Sequence, residues 1–539
     1  MGQDLMDKSA GRIQTAGAAN KPIVIAAAGI FLTLLTCYLL THGGEFYSSD
    51  GYVMYETAKA LALRHTIVLE PNPDLAWQIV EGQHGLYFSK YGLGQPLLAA
   101  VVILLAKALR EVALGPIFDQ ALYLYAVSLF NQLVTAATGV LVFLLALRLG
   151  NGIRLACGLA LAWGLTTLAW PYSKTFFSEP LFTACLLMGA LGLLAYRQSA
   201  GNARLAWLAF ASLGLGYAVL TRVVGALLIP PFLLYAIWAA MPHSEGAALV
   251  ALSDRVRRVR QHPTLPRDWK RSAVSAATAF GLPALACLAL LLWHNAARFG
   301  SPLDNGYTGE RFDTPLLSGL AGLLISPGKS VFLYAPLTAL AVVAWPRFWR
   351  EQRAAATLYA AIAAIVLIQN AKWWSWWGGW VWGPRMLVPL LPFAILGLGP
   401  LLRSSAAARL AAWILAGLGL GVALLGSIVD FNPYLIEIHA EYEQAGRGNA
   451  DPDIYWHLST SPIVEHVRRL WDGRDISVIT FNLQKIGFSD LQANLFVVAV
   501  AVMGVVGVAL LAGVLRHSDD AVTESARAQP LSADSTTAD

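Results

Sequence analysis

The sequence has few charged residues for its length. Asp, Glu, Lys and Arg make up 13% of the 539 residues, hydrophobic residues make up 57%, and the mean hydropathy is +0.56. Soluble domains carry about 25% charged residues, so this composition excludes an ordinary soluble enzyme and predicts a polytopic membrane protein. The net charge of +5 is small, and the basic residues occur in short clusters between apolar runs. We therefore expect no binding to nucleic acid.

Cysteine and nucleotide-binding motifs are also scarce. The four cysteines lie in apolar runs without CxxC spacing: Cys37, Cys157, Cys185 and Cys287. Neither a disulfide framework nor a zinc site is therefore expected. The sequence has no Walker P-loop, no GxGxxG after a strand, no HExxH and no Ser/His/Asp signature in context. If the chain is an enzyme, we expect its energy-rich donor to come from the membrane.

Long apolar runs dominate what is present. A transmembrane helix needs about 17 to 25 apolar residues, and twelve runs meet this length, whereas 95–109 (QPLLAAVVILLAKAL) is short. We predict an all-α polytopic membrane protein with about 12 transmembrane helices, outer-face loops and juxtamembrane helices. The predicted spans are 22–41, 120–147, 155–172, 180–197, 205–222, 223–241, 272–293, 329–345, 354–370, 385–402, 409–428 and 490–515.

The basic clusters orient these spans, because Lys and Arg favour cytoplasmic loops. If 95–109 does not cross, all five clusters fall on the same side as the N-terminus: 148–154, 197–204, 254–271, 346–353 and 403–409. We therefore predict that 95–109 is a re-entrant or surface-lying helix and that both termini are cytoplasmic. The expected regions are a cytoplasmic tail (1–21), a membrane module (22–428, with a first outer loop at 42–118), a small extracytoplasmic segment (430–489), a last span (490–515) and a disordered cytoplasmic tail (516–539).

Two acids stand out on the predicted outer face. Asp50 lies in SSDGYVMYETAKAL after the first apolar run, and Glu179 lies in WPYSKTFFSEPLF between two spans. Each has an ordinary interpretation, because Asp is a good helix N-cap and a Ser-Glu-Pro step starts helices well. The alternative is that both act on a substrate, since acids close to lipid are often functional. They could then position an acceptor or a divalent metal ion.

Three basic residues fall on the same face. Lys90 lies in YFSKYGLGQPLL, Arg222 lies between two closely spaced spans, and Arg385 begins a span. A lysine beside an apolar helix can simply extend its amine to the interface. The alternative is a site for a lipid phosphate, to which the planar fork of arginine is well suited.

The stretch KWWSWWGGWVWGPRMLVPLLP (372–392) contains six of the eighteen tryptophans within ten residues. Interfacial tryptophans are common in membrane proteins, but this density, interleaved with glycines, favours stacking on sugar rings. A polar outer loop, HNAARFGSPLDNGY, precedes it. The candidate substrate-binding residues are Tyr55, Tyr91, Asn295, Arg298, Tyr307, Trp376, Trp377 and Trp380.

The order of these motifs resembles that of the GT-C superfamily of membrane glycosyltransferases, which includes protein O-mannosyltransferases and aminoarabinose transferases. The resemblance covers roughly 22–430. Asp50 matches the essential acid of the first outer loop, SKYGLGQPLL is similar in position to a Lys-Pro-Pro-Leu element, and SEPL resembles the second acidic motif, with Glu179 where many relatives have Asp. NAARFGSPLDNGY, ISPGKSVFLYAP and WWGGWVWGPRMLVPLLP resemble a bacterial family 39-like subgroup.

The resemblance implies an inverting transferase in the cytoplasmic (inner) membrane that acts on the extracytoplasmic face with a polyprenyl-phosphate sugar donor. Asp50 would be the general base, and Lys90, Arg222 and Arg385 would hold the lipid phosphate. Glu179 would orient an acceptor or a metal ion; the family differs over the need for a divalent metal. The acceptor would be a protein, a lipid or a polysaccharide.

Two other functions remain open at the level of sequence. A transporter or flippase for a lipid-linked glycan would show internal repeats and polar groups at the membrane midplane, and neither is evident. A glycan ligase that uses a lipid-diphosphate donor would also place arginines on the outer face.

Overall fold

The structure is a computed structural model that describes residues 2–114, 119–241, 269–307, 309–448, 451–485 and 489–528. In these ranges the fold is mostly helical, which confirms the predicted all-α class, and one short hairpin pairs β1 (Ile79–Glu81) with β2 (Tyr87–Ser89). The helices are α1 Gly2–Leu40, α2 Ser49–Lys59, α3 Gly94–Leu109, α4 Asp119–Ser128, α5 Phe130–Arg148, α6 Ile153–Thr166, α7 Ala169–Ser173, α8 Glu179–Gln198, α9 Gly201–Thr221, α10 Ile229–Ala240, α11 Trp269–Phe299, α12 Leu316–Ile325, α13 Val331–Tyr334, α14 Leu337–Glu351, α15 Arg353–Lys372, α16 Leu391–Leu396, α17 Gly399–Ser404, α18 Ala406–Ile428, α19 Asn432–Gln444, α20 Pro462–Trp471, α21 Ile479–Lys485 and α22 Asp490–Ala528.

Ten of the twelve predicted spans are helical segments long and apolar enough to cross a membrane. They are Lys21–Leu40, Ala121–Arg148, Glu179–Gln198, Gly201–Thr221, Val223–Ala240, Val274–Phe299, Arg353–Lys372, Arg385–Ser404, Ala406–Ile428 and Asp490–His517. The other two predictions, 155–172 and 329–345, were wrong as single helices. The first is divided into α6 and α7, and the second into α13 and α14.

Local chemistry explains both breaks. In the first, the Thr167 hydroxyl accepts a hydrogen bond from the Ala169 amide at 3.2 Å, and Pro171 has no N–H to donate to the preceding turn. In the second, Pro336 follows Ala335, and proline disfavours the helical conformation of the residue before it. Hydropathy alone does not detect these interruptions.

Helix α8 lies at the centre of the bundle, with 94% of its most apolar stretch buried, against 11% for α11. It packs closely on α9 because small residues face each other there. A Cβ atom added at Gly192 would lie 2.7 Å from the Trp207 carbonyl oxygen and from the Ala211 methyl group, and small residues allow such close backbone approach in membrane bundles. This packing fixes the position of Glu179, which is the first residue of α8.

Contacts between the described basic clusters place them at one end of the bundle. The Arg148 guanidinium donates to Gln198 at 3.2 Å, and Arg403 contacts both Asn151 and Glu351. The fifth cluster, 254–271, lies almost entirely outside the described residues. The four clusters that share this end are 148–154, 197–204, 346–353 and 403–409.

Helix α3 starts and ends near the opposite end of the bundle. At its start, the Tyr217 hydroxyl donates to the Gly94 carbonyl at 2.7 Å. Directly after its end, Arg110 donates to the Tyr123 hydroxyl at 3.2 Å, and Tyr123 lies in the first turn of the span Ala121–Arg148, at the end opposite Arg148. This arrangement agrees with the expectation that 95–109 does not cross.

Accessibility of new cysteines tests the orientation of the bundle. We expect Asp74→Cys to react with a membrane-impermeant maleimide in right-side-out vesicles, and Asn202→Cys to react only after permeabilisation, because these exposed positions lie at opposite ends of the bundle. The unchanged protein gives the background labelling of its four native cysteines. Labelling of Asn202→Cys in sealed vesicles would overturn the topology.

Candidate functional site

A cavity of about 1370 Å³ opens at the end of the bundle opposite the basic clusters. Its wall is formed by the loop before α2, the segments on either side of the hairpin, the start of α8, the turn after α9, the loop before α12 and the tryptophan-rich loop (373–384). Segments that are distant in sequence thus meet around one space. The predicted site residues that line it are Asp50, Lys90, Tyr91, Glu179, Arg222, Tyr307, Trp377, Trp380 and Arg385.

Asp50 lies in the first turn of α2 but does not make its capping bond. The Ser48 hydroxyl accepts the Gly51 amide at 3.0 Å instead. The Asp50 carboxylate is therefore available to the cavity, where Oδ1 accepts the Tyr91 hydroxyl at 2.6 Å and Oδ2 accepts Arg385 Nη1 at 3.0 Å.

These contacts keep Asp50 ionised. Burial raises the pKa of the Asp50 carboxyl, but the charge of Arg385 and the hydrogen bonds from Tyr91 and Arg385 together bring this pKa below its ordinary value of 3.8. At neutral pH the group is therefore a carboxylate that can accept a proton.

Glu179 forms ion pairs with both arginines of the cavity. It is 1% exposed, and its Oε1 lies 2.6 Å from Arg222 Nη1 and 3.7 Å from Arg385 Nε. The side chain of Ser178 makes no capping bond to α8; its hydroxyl accepts Arg222 Nη1 at 3.2 Å. Glu179 therefore neutralises part of the charge of two neighbouring cations.

Lys90 faces an acid that the sequence analysis did not identify. Its ammonium lies 3.5 Å from Glu310 Oε1, and Glu310 Oε2 accepts the indole N–H groups of Trp373 at 2.7 Å and Trp374 at 2.9 Å. The Tyr307 ring centre lies 5.6 Å from the same ammonium. Glu310 is one of three acids in the segment 294–328, with Asp304 and Asp313, and nothing in the sequence distinguishes it from the other two.

Aromatic rings form another part of the cavity wall. Trp380 is 38% exposed and stacks on His439, with 4.1 Å between ring centres and 14° between planes. Trp77, which the sequence analysis did not single out, is 60% exposed and meets Trp374 edge to face. Exposed indole faces beside polar groups are suited to contact with sugar rings.

Four of the predicted substrate-binding residues do not line the cavity. The Tyr55 ring is buried against Phe46. Trp376 is buried against other aromatic rings, including Tyr455. The other two, Asn295 and Arg298, belong to the end of α11.

Arg298 and Asn295 support the hairpin instead of contacting the cavity. Arg298 Nη1 donates to the Ser89 carbonyl at 2.5 Å, and Arg298 Nη2 donates to Asn295 Oδ1 at 2.9 Å. Ser89 directly precedes Lys90 in the chain. The pair therefore holds the strand end that carries Lys90.

A narrow apolar groove joins the cavity beside Arg222 and Glu179. It runs between α8, the turn before α10 and α15, which all belong to apolar spans. Its apolar lining consists of Phe182, Val224, Leu228, Ile365, Val366, Met386 and Pro389. The groove encloses only about 20 Å³, so it is an apolar border of the cavity beside Arg222 and Glu179 and has no space for a long ligand in this conformation.

The acids of the cavity do not fit a metal centre. Among the described residues, no three His, Cys, Asp or Glu side chains are grouped as metal ligands. The two candidate ligands, Asp50 and Glu179, both contact the Arg385 guanidinium. Their negative charge is thus already balanced by an arginine, and we derive no step through a metal ion.

A family comparison bears on this site. Residues 84–294 match the family described as dolichyl-phosphate-mannose-protein mannosyltransferase. The matched segment includes Lys90, Glu179 and Arg222 but not Asp50 or Arg385. The match confirms the resemblance to lipid-dependent membrane glycosyltransferases that the motifs predict. No curated protein sequence matches the chain.

Several solved structures show a low level of similarity. ArnT from Cupriavidus metallidurans bound to undecaprenyl phosphate has a TM-score of 0.43 and 16% identity, over 90% of this chain and 76% of that chain. The Archaeoglobus fulgidus oligosaccharyltransferase in the apo form has a TM-score of 0.42 and 13% identity, over 81% and 59% of the two chains. Its complex with Zn and sulfate has a TM-score of 0.41 and 14% identity, over 81% and 57%. At these scores the likeness carries no argument about this chain.

Replacement of Glu179 tests its role in balancing charge. We expect Glu179→Gln to lower the free energy of unfolding by about 3 kcal/mol, because it removes the buried negative charge between two arginines. The measurement is denaturant unfolding in detergent micelles. The matched control is Glu56→Gln, which breaks the half-buried Glu56–Lys59 pair outside the cavity and should cost less than about 1 kcal/mol. Equal losses in both variants would contradict this role.

Proposed function

We propose that this protein, a membrane glycosyltransferase of the GT-C type, moves a sugar from a polyprenyl-phosphate donor to an acceptor hydroxyl in the cavity around Asp50. The observation that carries the proposal is that three cations, Lys90, Arg222 and Arg385, line one polar cavity together with Asp50. Arg222 also borders the apolar groove between membrane spans. Cations beside an apolar surface are complementary to a phosphate on an isoprenoid chain. The active site lies on the extracytoplasmic face of the cytoplasmic membrane.

The phosphate of the donor lies near Lys90, Arg222 and Arg385. During transfer the bond between the anomeric carbon and the phosphate oxygen breaks, and its electron pair stays on the phosphate, which gains one negative charge. Fixed cations stabilise a charge that develops in the transition state, and most strongly in a site that excludes water. The three side chains are therefore matched to the leaving group.

Asp50 accepts the proton of the acceptor hydroxyl while that oxygen forms its bond to the anomeric carbon. Attack opposite the departing phosphate inverts the configuration at this carbon. A positioned general base contributes typically about 10²- to 10⁴-fold to a rate, and holding acceptor and donor in line contributes further.

Arg385 links donor binding to the basicity of Asp50. In the structure its guanidinium lies 3.0 Å from Asp50 and helps to keep the pKa of this carboxyl low, which makes the carboxylate a weak base. A bound phosphate competes for the same guanidinium, so Asp50 becomes a stronger base when the donor is in place. This order of events would limit loss of the sugar to water.

The sugar is proposed to lie between Glu310 and the exposed indoles of Trp77 and Trp380. Glu310 Oε2 is held by two indole N–H groups, while Oε1 has only a 3.5 Å contact with Lys90 and can accept a sugar hydroxyl. Asn432 and Ile436 from the segment 430–489 line the cavity on another side. We assign this segment to the shaping of acceptor choice.

The decisive experiment is a test of the donor. Purified protein with a radiolabelled polyprenyl-monophosphate sugar and a panel of protein, lipid and polysaccharide acceptors should release free lipid phosphate. Transfer from a lipid-diphosphate glycan instead would indicate a ligase. Movement of intact labelled lipid across vesicles, without bond cleavage, would indicate a flippase.

Asp50 is tested by an isosteric change. We expect Asp50→Asn to lower kcat by about 10²- to 10⁴-fold per folded molecule, because the amide cannot accept the proton; loss of the ion pair with Arg385 should also lower the thermal stability. Asp74→Asn, at the exposed rim of the same cavity, is the matched control and should retain the activity of the unchanged chain. Near-normal turnover of Asp50→Asn would remove Asp50 as the base.

The pH dependence of kcat/KM gives a separate test. The form of Asp50 that accepts a proton exists above its pKa and is lost as the pH falls through it. Because this pKa lies below the ordinary 3.8 in the free protein, no loss of kcat/KM from Asp50 is expected as the pH falls from 7 to about 5. A loss in that range that disappears in Asp50→Glu, or shifts with it, would contradict the low pKa.

A further inference from the structure

A lysine outside the cavity is buried beneath the tryptophan-rich loop. Lys329, in the motif ISPGKSVFLYAP, is 0% exposed. Its ammonium donates to three backbone carbonyls, those of Gly379 at 3.1 Å, Val381 at 2.8 Å and Gly383 at 3.2 Å. All three carbonyls belong to the loop that directly precedes Arg385.

The three acceptors indicate that Lys329 is charged. A neutral amine has two N–H groups, whereas an ammonium has three, and only the ammonium can donate to three carbonyls at once. Among the described residues no carboxylate forms an ion pair with Lys329; the Tyr455 ring lies 4.6 Å from Nζ and offers its negative face. Burial and the charge of Arg385 lower the pKa of Lys329 well below its ordinary value of 10.5. The ammonium therefore depends on the three carbonyls and the ring to compensate the cost of burying a cation.

The loop has a backbone that turns its carbonyls inward. Gly379 and Gly383 have φ angles of +88° and +60°, in the left-handed region that glycine adopts without strain. A Cβ atom at Gly383 would lie 2.5 Å from Cδ1 of Tyr334, so only glycine fits there. Convergent carbonyl dipoles repel one another unless a positive charge lies between them. The Lys329 ammonium supplies this charge.

The same loop carries groups that face the cavity. The Arg385 amide donates to the Gly383 carbonyl at 3.1 Å, so Lys329 and the backbone of Arg385 share one acceptor. From this position the Arg385 side chain extends to Asp50. Trp380 lies in the chain between two of the carbonyls that Lys329 holds.

We propose that Lys329 is a positioning residue: its ammonium acts as a built-in cation that fixes the loop 378–384 so that Arg385 is directed to the donor phosphate. This inference rests on the proposed function, because it takes Arg385 as a phosphate ligand. It assigns to ISPGKS the role of holding the loop that presents this ligand.

The state of the loop can be measured without any substrate. In Lys329→Met, hydrogen exchange of the amides of Gly378, Arg385 and Leu387 should be at least about tenfold faster, because three convergent carbonyls have lost their cation. Exchange in α8 should be unchanged. The matched control is Lys174→Met, which removes another buried ammonium, one that donates to the Ser427 carbonyl at 2.8 Å, and should leave the three amides unchanged.

Binding of undecaprenyl phosphate to detergent-purified protein tests the link to Arg385, with undecaprenol as the control for the apolar chain. We expect Lys329→Met to raise Kd about tenfold, as the loss of a well-placed charged contact does. In a double-mutant cycle, Lys329→Met combined with Arg385→Ala should bind no more weakly than Arg385→Ala alone, because Lys329 acts through Arg385.

The outcomes separate the two proposals. The positioning role is overturned if the two substitutions multiply their effects on Kd in the double variant. It is also overturned if hydrogen exchange of the three loop amides is unchanged in Lys329→Met. Equal acceleration of loop exchange in Lys174→Met also overturns it, since the effect would then be general destabilisation. If the unchanged protein binds undecaprenyl phosphate no better than undecaprenol, the proposed donor is wrong, and the exchange experiment alone decides whether Lys329 fixes the loop.

Discussion

The ion pair between Arg385 and Asp50 joins two parts of the chain that are 335 residues apart, and the cavity depends on it. Arg385 also approaches Glu179, which contacts Arg222. Each of these charges would be costly to bury alone. Their mutual contacts balance two arginines with two carboxylates. Under the proposed function, an incoming anionic phosphate would compete with these carboxylates for the same cations.

Much of the fold could be predicted because the bilayer imposes simple rules. A helix that spans it must be long and apolar, so ten of the twelve expected spans are found. The wrong predictions, 155–172 and 329–345, fail where Thr167 and Pro336 interrupt the backbone. Such breaks depend on single hydrogen bonds and on missing N–H groups, to which a hydropathy average over a whole run is insensitive.

The site was predicted less completely, for a different reason. Asp50, Glu179 and Arg385 could be placed on one face because topology fixes which loops share a side. Neither Glu310, which lines the cavity, nor Lys329, which lies outside it, was singled out, because their contacts arise from folded geometry. Two indole N–H groups donate to Glu310, and Lys329 donates to three carbonyls. Asn295 and Arg298 lie on the expected face, but their side chains turn to the hairpin. Membership of a face does not determine the direction of a side chain.

The narrow groove beside Arg222 has a consequence for access to the cavity. It lies between helices of apolar spans and encloses only about 20 Å³, whereas the rim near Asp74 and Trp77 is exposed. Under the proposed function, a lipid tail would fit beside Arg222 only after α8 and α15 had moved apart. The lipid-borne reactant would then have to separate two helices to enter, whereas a water-borne reactant would meet an entrance that is already open.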